Sequence, residues 1–305
     1  MTSTNTSQIE SRTQKAKRSL RIQAKALVEY WGRYRKNRAA VFGLSMVIAF
    51  ALIALLAPLL AQYSPFEMHL QDFTRIYLSP DEQYLMGTDQ FGRDVFSRII
   101  WGARVSLFVG FVSAGISAAV GVSLGSIAGY YGGIVDNAVM RFVDMFLTIP
   151  QFFLILTIVA IFGSSLWNVM VVIGLTIWPS TARLIRAEFL SFKEKEFVQA
   201  ARSVGAGDRH LMFKEIAPNA IFPAVVNGSL QVGSAILTES ALSFLGLGDP
   251  NQVSWGYMLN DAMGSFIRAW WMSVFPGLMI SLVVISFNLL GDGLNDALNP
   301  YLKER

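Results

Sequence analysis

The stretch KEKEFVQAARSVGAGDRHLMFKEIAPN, residues 193–219, decides how the rest of the chain is read. It is polar and sits between two apolar runs, 166–185 and 220–245. Each run is long enough to cross a bilayer core, which needs about 20 apolar residues. Phe197, Ala200, Ala201 and Val204 recur at i, i+3, i+4 and i+7, one narrow face of a helix. Gly205-Ala206-Gly207 then predicts a stop and a flexible turn. Asp208 is placed to cap a second short helix, 209–216, ending near Pro218. The spacing therefore predicts helix, glycine turn, helix, held at a membrane surface. Such a loop either docks against another protein or lies on lipid headgroups, and the stretch alone leaves both readings open.

Working outward, the whole chain has the composition of an integral membrane protein. It is 53% hydrophobic and 15% charged, with a mean hydropathy of +0.45. Soluble domains carry about 25% charged residues. There is no cysteine, which excludes disulfides and thiolate metal sites. Only His69 and His210 are present, far apart, which argues against a histidine zinc site. Residues 1–38 are polar and basic. They read as a tail leading into an interfacial helix from about Leu20, with Trp31 and Tyr34 near the membrane. This reading is preferred over nucleic-acid binding or a cleaved signal.

Six spans are expected, at 39–62, 105–130, 138–162, 166–185, 220–245 and 270–290. The fold class is thus an all-α membrane protein with six transmembrane helices. Pro58 and Pro150 fall within spans, and Pro179 near the end of one. Gly121, Gly125 and Gly129 repeat every four residues and offer a smooth packing face. Arg141 and Asp144, three apart, are placed to pair with each other. Glu239 stands among apolar residues near a span end. As an ionisable group at membrane depth it is a functional candidate, with a helix-end hydrogen bond as the alternative. Residues 63–101 form a mixed loop in which Asp89, Arg93, Asp94 and Arg98 can pair locally, Asp94 and Arg98 at i, i+4. The preferred reading there is a cap stitched by ion pairs, with a plug or docking surface as the alternative. The corresponding divisions are 1–38, 39–62, 63–101, 102–294 and a tail, 295–305.

Basic residues set the orientation. With the N-terminus inside, the inside segments hold twenty of the 25 Lys and Arg. That places both termini and residues 193–219 in the cytoplasm. No phosphate-binding P-loop, zinc-protease helix or serine-hydrolase elbow is present. A stand-alone secondary transporter would need ionisable groups near the midplane. Here Glu239 is the best of few. A membrane scaffold would leave the glycine-turn loop and the GTDQFGRD segment without a purpose.

These residues resemble a known family. Residues 193–219 look like the coupling loop of ABC importer permeases, whose pattern is roughly Glu-Ala-Ala, three residues, Gly, and a later Ile-Leu-Pro. Here Gln199-Ala200-Ala201, Gly205 and Ile216-Ala217-Pro218 match, with Gln199 and Ala217 as departures and Glu196 supplying an acid one turn earlier. GTDQFGRDVFSR (87–98), LSFLGLG with SWGYML (242–259) and FNLLGDGLNDALNP (287–300) narrow the likeness to dipeptide/oligopeptide (peptide/nickel) permeases, of the second, C-type subunit. The resemblance implies a type I importer permease in the cell inner membrane. It implies a second homologous permease as partner, two cytoplasmic ATPases that bind the ATP, and an extracytoplasmic binding protein. The chain itself would be no enzyme and would hold no cofactor or metal. Cargo within the family includes peptides, nickel, glutathione, antimicrobial peptides and oligosaccharides.

Overall fold

The computed structural model describes residues 28–68 and 73–298. The basic tail before residue 28, the start of the interfacial helix at Leu20, His69 and the end of the C-terminal tail lie outside them. Within them residues 28–34 are helical, and the rings of Trp31 and Tyr34 stack 5.9 Å apart. Tyr34 is buried and its hydroxyl donates to the Ala40 carbonyl at 2.8 Å, tying this segment to the bundle.

Helix α1 (Arg38–Leu55) starts where the Asn37 side chain accepts from the Ala40 amide. The chain breaks at Leu56 and resumes as Ala57–Leu60 with Pro58 in its first turn. That is where a proline is tolerated, because the missing N–H would have had no partner. The span expected at 39–62 is therefore two pieces. Helix α2 (Val95–Tyr131) is 37 residues long and begins well before position 105, because Asp94 caps it by accepting from the Ser97 amide. At 1.5 Å per residue it is about 55 Å long.

The expected third span is broken. Helix α3 (Gly133–Thr148) and helix α4 (Gln151–Phe162) meet at an angle of 83°. Ile149 between them is extended (φ −87°, ψ 128°), as the residue before a proline prefers. Helix α5 (Leu166–Lys193) is capped by Ser165 and passes Pro179 without ending, so it runs on past the expected end at 185. Helix α6 (Glu196–Ser203) follows. Helix α7 (Phe222–Leu242) continues into a wide turn, Ser243–Leu247, closed by Gly246 at φ +84°. Helix α8 (Trp255–Ala262) is capped by Ser254, and helix α9 (Trp271–Leu298) closes the bundle.

Five of these elements are long and apolar enough to cross a membrane, and the bent α3–α4 pair makes a sixth. No strand is present among the described residues. The most extensive helix pair is α2 with α5. It is built on the glycine row. An added Cβ would come within 2.6 Å of the Thr181 side chain at Gly121, 2.5 Å of the Ala182 carbonyl oxygen at Gly125, and 2.6 Å of the Phe189 side chain at Gly129. Only hydrogen in place of a side chain permits that approach.

Candidate functional site

Residues 193–219 are held firmly at one end of the bundle. Val198, Leu211, Met212 and Ile216 are buried and pack against Tyr130, Ile185 and Phe189. Lys193 Nζ donates to the Tyr130 carbonyl at 2.7 Å, and the Tyr130 hydroxyl donates to the Asp208 carboxylate at 2.6 Å. Asp208 is thus a tether to α2, and the cap position belongs to Gly207. The second helix also differs from expectation. Asp208–His210 passes into a wider turn, Leu211–Ile216, and then into Ala217–Ala220. Pro218 stands in the first turn of that last piece and does not end the helix.

The apolar residues of α6 divide between two faces. Val198 and, half-buried, Ala201 turn into the base. Phe197, Ala200 and Val204 turn outward, with Phe197 43% and Val204 86% exposed. Gly205 adopts φ +86°, and an added Cβ would meet nothing within 4 Å. It therefore serves the turn, and its outer side is open. Phe213 is also exposed. Glu196 and Pro218 are at the surface, while Ile216 is fully buried. Gln199 has an internal role, since its amide donates to the Lys193 carbonyl at 3.0 Å, near the C-terminus of α5. An acid there could not donate that bond.

At the opposite end of α2 the charges form a closed network. Arg93 Nε lies 2.5 Å from Asp89, and Arg98 also pairs with Asp89. The same two arginines reach Asp261 of α8, at 2.7 Å from Arg93 and 2.9 Å from Arg98. Asp89 accepts in addition from the Phe91 and Arg93 amides. The expected Asp94–Arg98 pair does not form, because Asp94 is spent on capping α2. Asp261 was not singled out in the sequence, and it joins the GTDQFGRD segment to α8. Trp271 Nε1 donates to the Thr88 carbonyl at 3.1 Å and fixes the same segment to α9. Gly87, at φ +74°, lies against Trp271, where an added Cβ would come within 2.7 Å of Nε1.

The remaining candidates are structural in their contacts. Asp144 pairs with Arg183 of α5 at 2.5 Å, and Arg141 is exposed, so the pairing expected between them does not occur. Asp136 instead takes Arg186 in a two-pronged contact that joins α3 to α5. Glu239 is buried and accepts hydroxyl hydrogens from Ser243 at 2.6 Å and from Ser240 at 3.5 Å, bracing the end of α7 against the turn that follows it.

The structure is thus a helical bundle with a tethered helix–turn–helix at one end and an ion-paired cap at the other. Residues 121–304 match the profile of the family described as binding-protein-dependent transport system inner membrane component, and residues 26–80 match the N-terminal TM domain of oligopeptide transport permease C. The chain belongs to this family of binding-protein-dependent transport permeases. It is 41% identical over 285 residues to the dipeptide transport system permease protein DppC of Haemophilus influenzae, covering 91% of this chain and 96% of that one. It is 39% identical over 276 residues to the glutathione transport system permease protein GsiD of Pectobacterium atrosepticum, covering 90% and 91%. Among solved structures, the MetNI methionine ABC transporter in inward facing conformations aligns at a TM-score of 0.54 and 18% identity, covering 66% of this chain and 96% of that chain. That likeness supports the fold. The chain is accordingly a multi-pass membrane permease component of an ABC transport system.

Proposed function

We propose that this chain forms half of the transmembrane pathway of an ATP-driven importer of di- and oligopeptides. Residues 193–219 are its seat on a cytoplasmic ATPase. A second permease completes the pathway, two ATPases bind and hydrolyse the ATP, and an extracytoplasmic binding protein delivers cargo. Both termini face the cytoplasm, as the bias of basic residues requires. The observation that carries the reading is the outward face of α6. Phe197, Ala200, Val204 and the open side of Gly205 present apolar surface on a base anchored to α2 and α5. An apolar face on so well-tethered a support fits a protein groove. ATP-driven closure of the ATPases shifts the permease between two states only if the nucleotide-bound form grips one state better. Peptide cargo rests on the relatives named for dipeptide and peptide transport. The relative named for glutathione transport supports a second cargo reading, itself a tripeptide-sized molecule.

Gly205→Asp tests the coupling assignment. The position is open, so the substitution adds bulk and charge to the outer face without a clash inside, and it also strains the φ +86° turn. In vesicles containing the complete transporter, peptide uptake is expected to fall by roughly tenfold or more, the scale of about 1.4 kcal/mol lost at an interface. The protein should remain in the membrane. Normal uptake in the variant would remove the coupling role. Comparing peptides and glutathione on the cognate binding protein decides the cargo.

A further inference from the structure

Helix α7 carries Asn227, Gln231, Ser234 and Thr238 at i, i+4, i+7 and i+11. On a helix of 3.6 residues per turn these four fall within about 60° of one another, a single polar stripe along about 17 Å of the axis. The stripe is joined to α5. The Gln231 amide donates to the Thr181 hydroxyl at 3.0 Å and to the Ser180 hydroxyl at 3.2 Å, and the Asn227 amide donates to Thr181 at 3.0 Å. Ser180 and Ser234 are exposed, and one turn along α5 from Ser180 the exposed Arg183 pairs with Asp144 of α3 at 2.5 Å. A continuous polar surface therefore crosses three helices. It begins on the side of residues 193–219, at Asp144 and Arg183, and climbs α7 to Thr238.

We propose that this surface is the wall of a water-filled path along which the cargo moves, and that it holds the cargo by the peptide main chain. The proposal rests on the importer reading above and names its cargo-facing residues. Three occupants compete for the surface, and the chemistry separates them. Hydrocarbon is a poor neighbour for a stripe of hydroxyls and amides ending in an ion pair. A dry contact with another subunit would strip water from Asp144 and Arg183, whose side chains are 60% and 52% exposed, and would give nothing back, because each charge already has its partner. Water leaves the pair hydrated. Gln231 points the same way. It is only 7% exposed, and its side-chain oxygen has no partner among the described residues, so this node needs a donor from outside the chain. The stripe on α7 is neutral, and Asp144 and Arg183 cancel. Such a wall has nothing with which to choose cargo by charge. It offers neutral donors and acceptors, which suit the N–H and C=O groups that every peptide repeats whatever its side chains.

The chain has no cysteine, so single cysteines on α7 report what covers each position. Ser234→Cys, Thr238→Cys and, off the stripe, Leu237→Cys are each assembled with the other subunits in vesicles and exposed on both faces to a cationic, membrane-impermeant thiol reagent, with labelling followed on this chain. The two stripe cysteines are expected to react, at least severalfold faster than Leu237→Cys, and their modification should lower peptide uptake. Ser234→Asp gives a readout that a packing role would not move. The ratio of uptake of a lysine-containing to a glutamate-containing peptide should rise severalfold over wild type, because the wall then carries a net negative charge. Stripe cysteines no more reactive than Leu237→Cys, in the resting and the transporting complex alike, overturn the proposal. Disulfide formation between Ser234→Cys and a cysteine placed in the second permease, in place of labelling, would assign the stripe to a subunit contact and overturn it as well. If Ser234→Asp does not assemble, the labelling decides alone. Wild-type vesicles that take up peptide while the stripe stays unreactive would refute this inference and leave the importer reading standing. Wild-type vesicles that take up no peptide would refute the importer reading and, with it, this inference.

Discussion

At the scale of single residues, Gln199 shows how a departure from a family pattern can be explained by a neighbour. The resembled pattern has an acid at this position. Here the side-chain amide donates to the Lys193 carbonyl, and Glu196 leaves an acid at the surface one turn earlier. Gln199→Glu loses the donor and sets a carboxylate against a carbonyl oxygen. It should cost about 1–3 kcal/mol of local stability, read as faster hydrogen exchange across α6, with docking to the ATPase weakened only as a consequence. Unchanged exchange would show that the Lys193 carbonyl is satisfied without it. Asp261 carries a larger load. It is the one acid that both Arg93 and Arg98 share with Asp89. Asp261→Ala leaves two buried guanidinium groups on a single carboxylate and should destabilise the fold by about 3–5 kcal/mol. A thermal-unfolding shift in detergent measures it, and a shift no larger than that of an exposed control such as Asp144→Ala would show the network to be slack. Sequence spacing could not reveal Asp261, because it lies 168 residues from Arg93. Asp94 departs from the expectation for a different reason. Its i, i+4 distance to Arg98 is right for a helix interior, but Asp94 is the cap, outside the helix, and its carboxylate is committed to the Ser97 amide.

At the scale of elements, the glycine row was legible because a four-residue repeat of Gly has little purpose other than close approach. The structure supplies its partner, α5. Gly125→Val should overpack that contact by about 1–3 kcal/mol or more, since the nearest atoms are backbone and cannot rotate away. Lower yield of monodisperse protein and a lower unfolding temperature are the expected readings. Gly132→Ala is the matched control, being free of neighbours though not of its positive φ. The break between α3 and α4 was only half legible. Pro150 marks the place, but whether a membrane proline kinks or breaks its helix depends on the packing around it. That also explains why Pro179 leaves α5 continuous. The two-sided α6 was likewise hidden. Periodicity found its apolar residues but assigned Phe197, Ala200, Ala201 and Val204 to one face, whereas the structure turns Ala201 inward beside Val198.

At the scale of the molecule, the number of spans and the all-helical class followed from hydropathy, because lipid forces every backbone group to be satisfied within its own segment. What hydropathy could not give is where helices continue into water. Helix α2 starts before its apolar stretch and α5 ends after its own, since caps and tethers rather than the bilayer set those limits. Both overhangs end in fixed structure, the ion-paired cap and the α6 base.

The length of α2 has a mechanical meaning. It is a single rod of about 55 Å, pinned at its start by the Asp94 cap beside the Asp89–Arg93–Arg98–Asp261 network, and at its end through Tyr130 to Lys193 and Asp208. A rod fixed to both ends cannot absorb a displacement along its course, so it acts as a lever. A tilt of about 10° pivoting on one end sweeps the other through roughly 9–10 Å over that length. A tilt set at the end held by residues 193–219 therefore displaces the far end in proportion to the length of the rod, with no relay of side-chain rearrangements between them.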